Sequence, residues 1–184
     1  MKQKDDAAGF LGVTMAKTED DTLELKQTGL VHCILEAMGL DSNMATNKWT
    51  PADTKTLTKD EDEEGPSGTS SYSSVLAMLL YCSGHLCPDI AHDVNCFSRY
   101  MFNPILSHEK GLKRIGRYPK ATRDKGLILE PTRMWKVDVY PNADFDGVYG
   151  HEKPADPTCA KSQTGFLINV SGAQWSGCPS YRER

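Results

Sequence analysis

No long apolar run is present. The longest, Val75 to Cys82, is eight residues, far short of the ~20 that a membrane-spanning helix needs. The opening stretch MKQKDDAAG has no apolar core, so no secretory leader is predicted there. Without a secretory context, the six cysteines read as reduced thiols rather than as a disulfide framework. The stretch GPSGTSS lacks the lysine and the spacing of a P-loop, which removes nucleotide binding through that motif. No internal repeat is visible, which excludes a solenoid. The expectation from these absences is a soluble, intracellular chain.

The 184 residues suffice for one ordinary domain or two small ones. Hydrophobic residues make up 39% and charged residues 25%, a globular composition. The net charge of -4 hides its distribution. Lys59 to Glu64 (KDEDEE) is an acidic run, whereas residues 105–125 hold Lys110, Lys113, Arg114, Arg117, Lys120, Arg123 and Lys125 against Glu109 and Asp124. Seven positive against two negative charges leave a local excess of five, and local charge decides what a surface attracts.

Hydrophobic spacing predicts strands over Gly9 to Met15 and Thr22 to Gln27, joined by the polar turn KTEDD. Leu30, Val31, Ile34, Leu35 and Met38 recur at helical spacing, with Gly39 where a C-terminal cap belongs. Residues 41–58 are polar, contain Pro51 and read as an extended connection. A helix is predicted from Tyr72 to Tyr81, ended by Gly84. A second begins at Pro88, presents Ile90, Ala91, Val94, Phe97 and Met101 on one face, and stops at Asn103-Pro104. Ser107 is the expected cap of a third, carrying Leu112 and Ile115. Leu127 to Leu129, Trp135 to Tyr140 and Phe166 to Val170 read as strands. The outline is α+β.

From Tyr72 to Leu129, the stretches SVLAMLLYCSGHLCPDIAHDVNCFSRYMFNP and SHEKGLKRIGRYPKATRDKGLIL resemble the segment that follows the thumb of copia-type retrotransposon reverse transcriptases. Upstream, FLGVTM, LELKQTGLVHCILEAMGL and TPAD are similar to the same family's palm end and thumb. Downstream, VYPNADFDG and KSQTGFLINVSG are similar to the opening of its RNase H domain. The resemblance covers roughly residues 9–172. It implies four regions: the end of the palm and the thumb in 1–58, an acidic and Gly/Ser linker in 59–70, a helical connection in 71–130, and a partial RNase H-like domain in 131–184. The fold expected is a β-hairpin and thumb helix, the helical connection, then an incomplete RNase H-like sheet.

Family polymerases hold two Mg²⁺ ions on an Asp-Asp hairpin and a third carboxylate. That hairpin precedes FLGVTM in the family. The pairs Asp5-Asp6 and Asp20-Asp21 follow no Tyr-x step in an apolar strand and read as solvated charge. RNase H chemistry needs a carboxylate cluster whose first aspartate lies in a "(Y/C)xDxD(W/F)AG" strand end. Here the expected first aspartate is Asn142, a neutral amide with weak affinity for Mg²⁺, while the second is kept as Asp144, the remnant catalytic and metal candidate. The resemblance therefore implies a truncated relic of a copia-type polymerase without catalysis of its own. Mg²⁺ is the cofactor of the intact parent, and none is expected for this fragment. The parent's partners are primer–template duplex or RNA–DNA hybrid and the rest of the Pol polyprotein, with no membrane. Its locations are cytoplasmic virus-like particles and the nucleus.

Two further readings come from the residues. The basic helix offers Lys110, Lys113, Arg114, Arg117, Lys120 and Arg123 to a phosphate backbone, with Lys110, Arg114 and Arg117 sharing one face. The bland alternative is a solvated helix face. Arg99 reads as a structural partner. Cys82, His85, Cys87, His92 and Cys96 lie within fifteen residues, which raises a zinc site, yet no recognised zinc spacing occurs among them. Partly buried thiols are the other reading. Trp49, Trp135 and Trp175 read as packing anchors, with stacking on bases as the alternative. Pro119 stands where the family has leucine, either ending the helix at Tyr118 or marking sequence decay. An incomplete RNase H sheet leaves an open edge and an apolar face, so low solubility is expected.

Overall fold

Helix α1, Thr28–Ala37, buries Val31, Ile34 and Leu35, which the 3.6-residue period places on one face. Its end is a Schellman turn. Gly39 takes φ +66°, its N–H reaches Glu36 C=O at 3.0 Å, and Leu40 N–H reaches Leu35 C=O at 2.8 Å. A side chain at Gly39 would strain this left-handed step. The structure is a computed structural model, described over residues 12–17, 22–42, 46–51, 57–59, 63–68, 70–130, 134–144, 162–177 and 180–182. Side chains at 144, 162–163, 174–177 and 180–182 lie outside that description.

Helix α2, Tyr72–His85, buries Tyr72, Val75, Leu76, Leu79 and Cys82. The Tyr72 hydroxyl donates to Phe97 C=O at 2.9 Å, so its polar end is satisfied inside the core. Burial also raises the Tyr72 pKa. Pro88 opens a 3-10 turn, Pro88–Ile90, which leads into helix α3, Ala91–Ser98. That helix stops before the expected Asn103-Pro104. Tyr100 N–H already bonds to Phe97 C=O, and Met101 N–H to Ser98 C=O. Such three-residue closures tighten the chain out of α geometry.

Helix α4, Leu106–Thr122, buries His108, Leu112, Ile115, Gly116 and Pro119. It runs through Pro119 instead of ending at Tyr118. The proline lies within one turn of the end, where few ladder bonds remain to be lost. Nearby, the Arg117 carbonyl accepts the N–H of Lys48 at 3.3 Å. Gly116 is required by packing, because a Cβ there would run into the Met38 sulfur. One core joins α1, α2, α3 and α4, with Ile34, Leu76, Leu79, Ile90 and Val94 all 0% exposed.

The first strands form a three-stranded antiparallel sheet in the order β1-β2-β3 (Thr14–Lys17, Leu23–Lys26, Leu127–Leu129). The hairpin of β1 and β2 follows the expected alternation. Its third strand is the short LIL segment more than a hundred positions on, with Leu25 opposite Leu127. The predicted start of β1 at Gly9 lies outside the described residues, and among those described the strand begins at Thr14.

The last strands are β4 (Val137–Asp144), β5 (Ser162–Val170), β6 (Ala173–Gly177) and β7 (Ser180–Arg182). Central β5 pairs β4 along its full length on one side. On the other side β6 pairs with its second half and β7 with its first. Ser171 (φ 53°) and Gly172 (φ 85°) make the two-residue turn from β5 to β6, and two positive φ values match the twist of a tight hairpin. Pro141 sits in β4, an edge strand among the described residues, where a missing N–H is tolerated. The observed architecture is thus α+β with two antiparallel sheets.

Candidate nucleic-acid interface

Three donors at the start of α4 need acceptors from outside the helix. Ile105 N–H donates to His108 Nδ1 at 3.3 Å, Leu106 N–H to Glu64 C=O at 2.9 Å, and Ser107 N–H to Glu63 Oε1 at 2.8 Å. Ser107 is therefore not the cap. Two glutamates from the acidic run cap the helix across the fold, and the Glu63 carboxylate complements the helix dipole. With Nδ1 accepting, the His108 proton sits on Nε2, which donates to Thr58 C=O at 3.0 Å. Its ring stacks on Tyr100 at 3.9 Å between centroids.

Glu109, in the first turn of α4, is 3% exposed and fully engaged. Its Oε1 accepts from Ser67 Oγ and pairs with Lys113 Nζ, both at 2.8 Å, while Oε2 accepts Ser67 N–H at 2.7 Å. The Lys113 hydrogen bond, helped by those of Ser67, holds the carboxyl at a pKa of about 2 against the opposing effect of burial. The Gly-Pro-Ser-Gly stretch is thereby tied down beside α4.

The six basic candidates are not equivalent. Lys113 is committed to Glu109. Lys120 reaches out of α4 to donate to Leu40 C=O at 2.9 Å and Ser42 C=O at 2.6 Å, fastening the chain that leaves α1. Arg114 is half-buried and its charge acts on Asp93 of α3, whose carboxyl is raised by burial and lowered by His92 and Arg114. Arg117 is half-buried, and its Nε meets no acceptor among the described residues. Lys110 is exposed, as is Arg123, which lies 3.8 Å from Asp124. Arg99 stands over the Tyr100 ring at 5.8 Å, a structural partnership.

Asn142 lies exposed on β4, opposite Gly165 of β5. Asp144 is in register with Gln163 at the end of the same strand, and its side chain lies outside the described residues. Asp5, Asp6, Asp20 and Asp21 lie outside them too.

The five cysteine and histidine candidates form pairs rather than one cluster. Cys82 and Cys87 sulfurs are 3.3 Å apart, and Cys96 Sγ is 3.7 Å from His92 Nε2. His85 binds Tyr81 C=O through Nδ1 at 2.8 Å and packs on the Tyr81 ring. Among the described residues, only His32, Glu36 and Asp41 group three metal-capable side chains, and all are exposed. Glu36 meets His32 Nε2 at 3.3 Å and Asp41 meets Nδ1 at 3.7 Å, so the two carboxylates contact different nitrogens of the ring.

Trp49 and Trp135 are 70% and 86% exposed, so neither is the packing anchor expected. The side chain of Trp175 lies outside the described residues. Glu63, Glu64, Ser67, Glu109 and His108 were not singled out from sequence, because their contacts across the fold span some forty residues or more, and the i,i+4 spacing of Glu109 and Lys113 does not report them.

The chain is 31% identical over 150 residues to the retrovirus-related Pol polyprotein from transposon RE2 of Arabidopsis thaliana, a match covering 80% of this chain and 10% of that protein. It is 32% identical over 111 residues to the retrovirus-related Pol polyprotein from transposon TNT 1-94 of Nicotiana tabacum, covering 60% of this chain and 8% of that one. The chain is thus similar to a segment of retrotransposon Pol polyproteins. It is also 28% identical over 113 residues to the secreted RxLR effector protein 161 of Plasmopara viticola, covering 61% of this chain and 71% of the effector. It thus spans about a tenth or less of the two Pol polyproteins and most of the effector. No family model matches the chain, and no solved structure matches it.

Proposed function

We propose that the chain is the copia-type segment running from the end of the reverse-transcriptase palm and thumb (1–58), through the linker (59–70) and helical connection (71–130), into a partial RNase H-like sheet (131–184). In this reading it has no catalysis of its own. The intact parent makes DNA from RNA and cleaves RNA–DNA hybrid with Mg²⁺. The observation that carries the reading is Asn142. It is exposed on β4, and in this reading it stands where the family has its first metal-binding aspartate. An uncharged amide there supplies neither the negative charge nor the bidentate grip that a two-metal site needs. Primer extension on an RNA template with Mg²⁺ tests the polymerase half: no product above a protein-free control is expected, and extension would overturn the reading.

A second reading is a non-catalytic nucleic-acid-binding module that uses the basic helix 107–125. It is favoured by the exposed Lys110 and Arg123 flanking the half-exposed Arg114 and Arg117. Filter binding of RNA–DNA hybrid at two salt concentrations distinguishes the readings. A binder loses affinity steeply as salt rises, through release of counterions. Weak, salt-insensitive retention favours the first reading.

A further inference from the structure

Cys82 lies in the last turn of α2, and Cys87 just beyond the end of that helix. Their backbones already meet. Cys87 N–H and Leu86 N–H both donate to the Cys82 carbonyl at 3.0 Å, folding the chain back on the helix end. The side chains follow: Cys82 S–H donates to the Cys87 sulfur across 3.3 Å. A disulfide needs about 2.05 Å between sulfurs, so closing the bond takes roughly 1.2 Å of side-chain movement.

The two thiols have different surroundings. Cys82 is 0% exposed, whereas Cys87 is half-exposed. Both line a small open cleft that Lys26, Arg123 and Lys125 also line. The hydrogen bond from Cys82 lowers the pKa of Cys87, opposed by burial and by Asp89. Cys82 is raised by that same bond, by burial and by Cys87 and Asp89. Asp89 in turn accepts a hydrogen bond from Tyr118 of α4, which draws its charge partly away. Thiolate character and access therefore fall on Cys87, and the buried thiol stands behind it.

We propose that Cys82 and Cys87 are a peroxide-responsive dithiol that oxidises to an intramolecular disulfide. In the first step the Cys87 thiolate attacks one peroxide oxygen and the O–O bond breaks. The departing hydroxide takes up the proton that Cys87 released and leaves as water, and Cys87 becomes a sulfenic acid. In the second step the Cys82 sulfur attacks the Cys87 sulfur and the S–O bond breaks. Hydroxide leaves with the Cys82 proton as a second water. Two thiols lose two electrons and two protons, and one peroxide is reduced to two waters. The bond staples the end of α2 to the 3-10 turn that holds Asp89 against Tyr118.

The test treats the reduced full chain with hydrogen peroxide, blocks the remaining thiols, and maps them by mass spectrometry after chymotrypsin, which cuts after Leu86 between the two cysteines. The expected result is a Cys82–Cys87 linked peptide lighter by two hydrogens, with Cys87 consumed at least about ten times faster than exposed Cys33. In Cys82→Ser, and in Cys82→Ala as a second variant against misfolding, Cys87 should be trapped by dimedone as the sulfenic acid. Oxidation of Cys33 at the same rate as Cys87, a different pairing, or two free thiols after peroxide would each overturn the proposal. The mapping on the unmodified sequence decides the matter even where a variant fails to fold.

Discussion

The helical region and the C-terminal sheet use apolar residues in opposite ways. In α1 to α4 each apolar stripe meets another stripe, and Ile34, Leu76, Leu79 and Ile90 lose all contact with water. On β4, Val137, Val139 and Tyr140 remain 60%, 56% and 55% exposed, and Trp135 just before the strand is 86% exposed. Large apolar side chains occur in both, so among the described residues the difference lies in what covers them. A helix bundle closes on itself, whereas a sheet needs a second layer. An uncovered apolar sheet face is a site for association.

The sharpest way to break this comparison is a pair of substitutions on its two sides. Leu79→Ala, in the middle of α2, should lower unfolding free energy by about 2–5 kcal/mol in urea titrations, through lost transfer energy and a cavity. A change under about 1 kcal/mol would mean that the helical core is not closed as described. Next in size is the pH response of Glu109. Its carboxyl is held at about 2 rather than the ordinary 4.5, a depressed acid. Its stabilising contribution is complete above pH 4.5 and disappears as the pH falls from there through about 2. Thermal midpoints of the unaltered chain should therefore fall over that window. Glu109→Gln should be less stable at neutral pH and flatter below pH 4.5. Parallel curves for the two proteins would remove Glu109 from the account. The smallest stability effect belongs to the sheet: Val139→Thr should change unfolding free energy by no more than about 0.5 kcal/mol. It should nevertheless reduce light scattering at high concentration. A large loss of stability would show that a covering layer exists over that face.

The helices were legible because their apolar spacing is local: Val31, Ile34 and Leu35, then Val75, Leu76 and Leu79, declare a face within two turns. Gly39 was legible for the same reason. The strand Leu127 to Leu129 was legible too, but its place was not, since it pairs with Leu23 to Leu25 more than a hundred positions earlier. The acidic and Gly/Ser stretch read as a linker because composition reports nothing about Glu63, Glu64 and Ser67 reaching α4. Ser107 and Pro119 misled in a shared way. A cap residue and a helix breaker are statistical signals, and here tertiary contacts supply the cap and seat the proline. At the candidate site, charge count identified the basic helix but not its division of labour. Lys113 and Lys120 are spent on Glu109 and on the carbonyls of Leu40 and Ser42. The neutral amide of Asn142 was readable directly, because it rests on residue identity rather than on packing.

The most direct test of the account is hydrolysis of the RNA strand in a labelled RNA–DNA hybrid by the purified chain with Mg²⁺. The account predicts cleavage indistinguishable from a protein-free control. Metal-dependent cleavage that co-purifies with the folded chain and is lost in Asp144→Asn would contradict it.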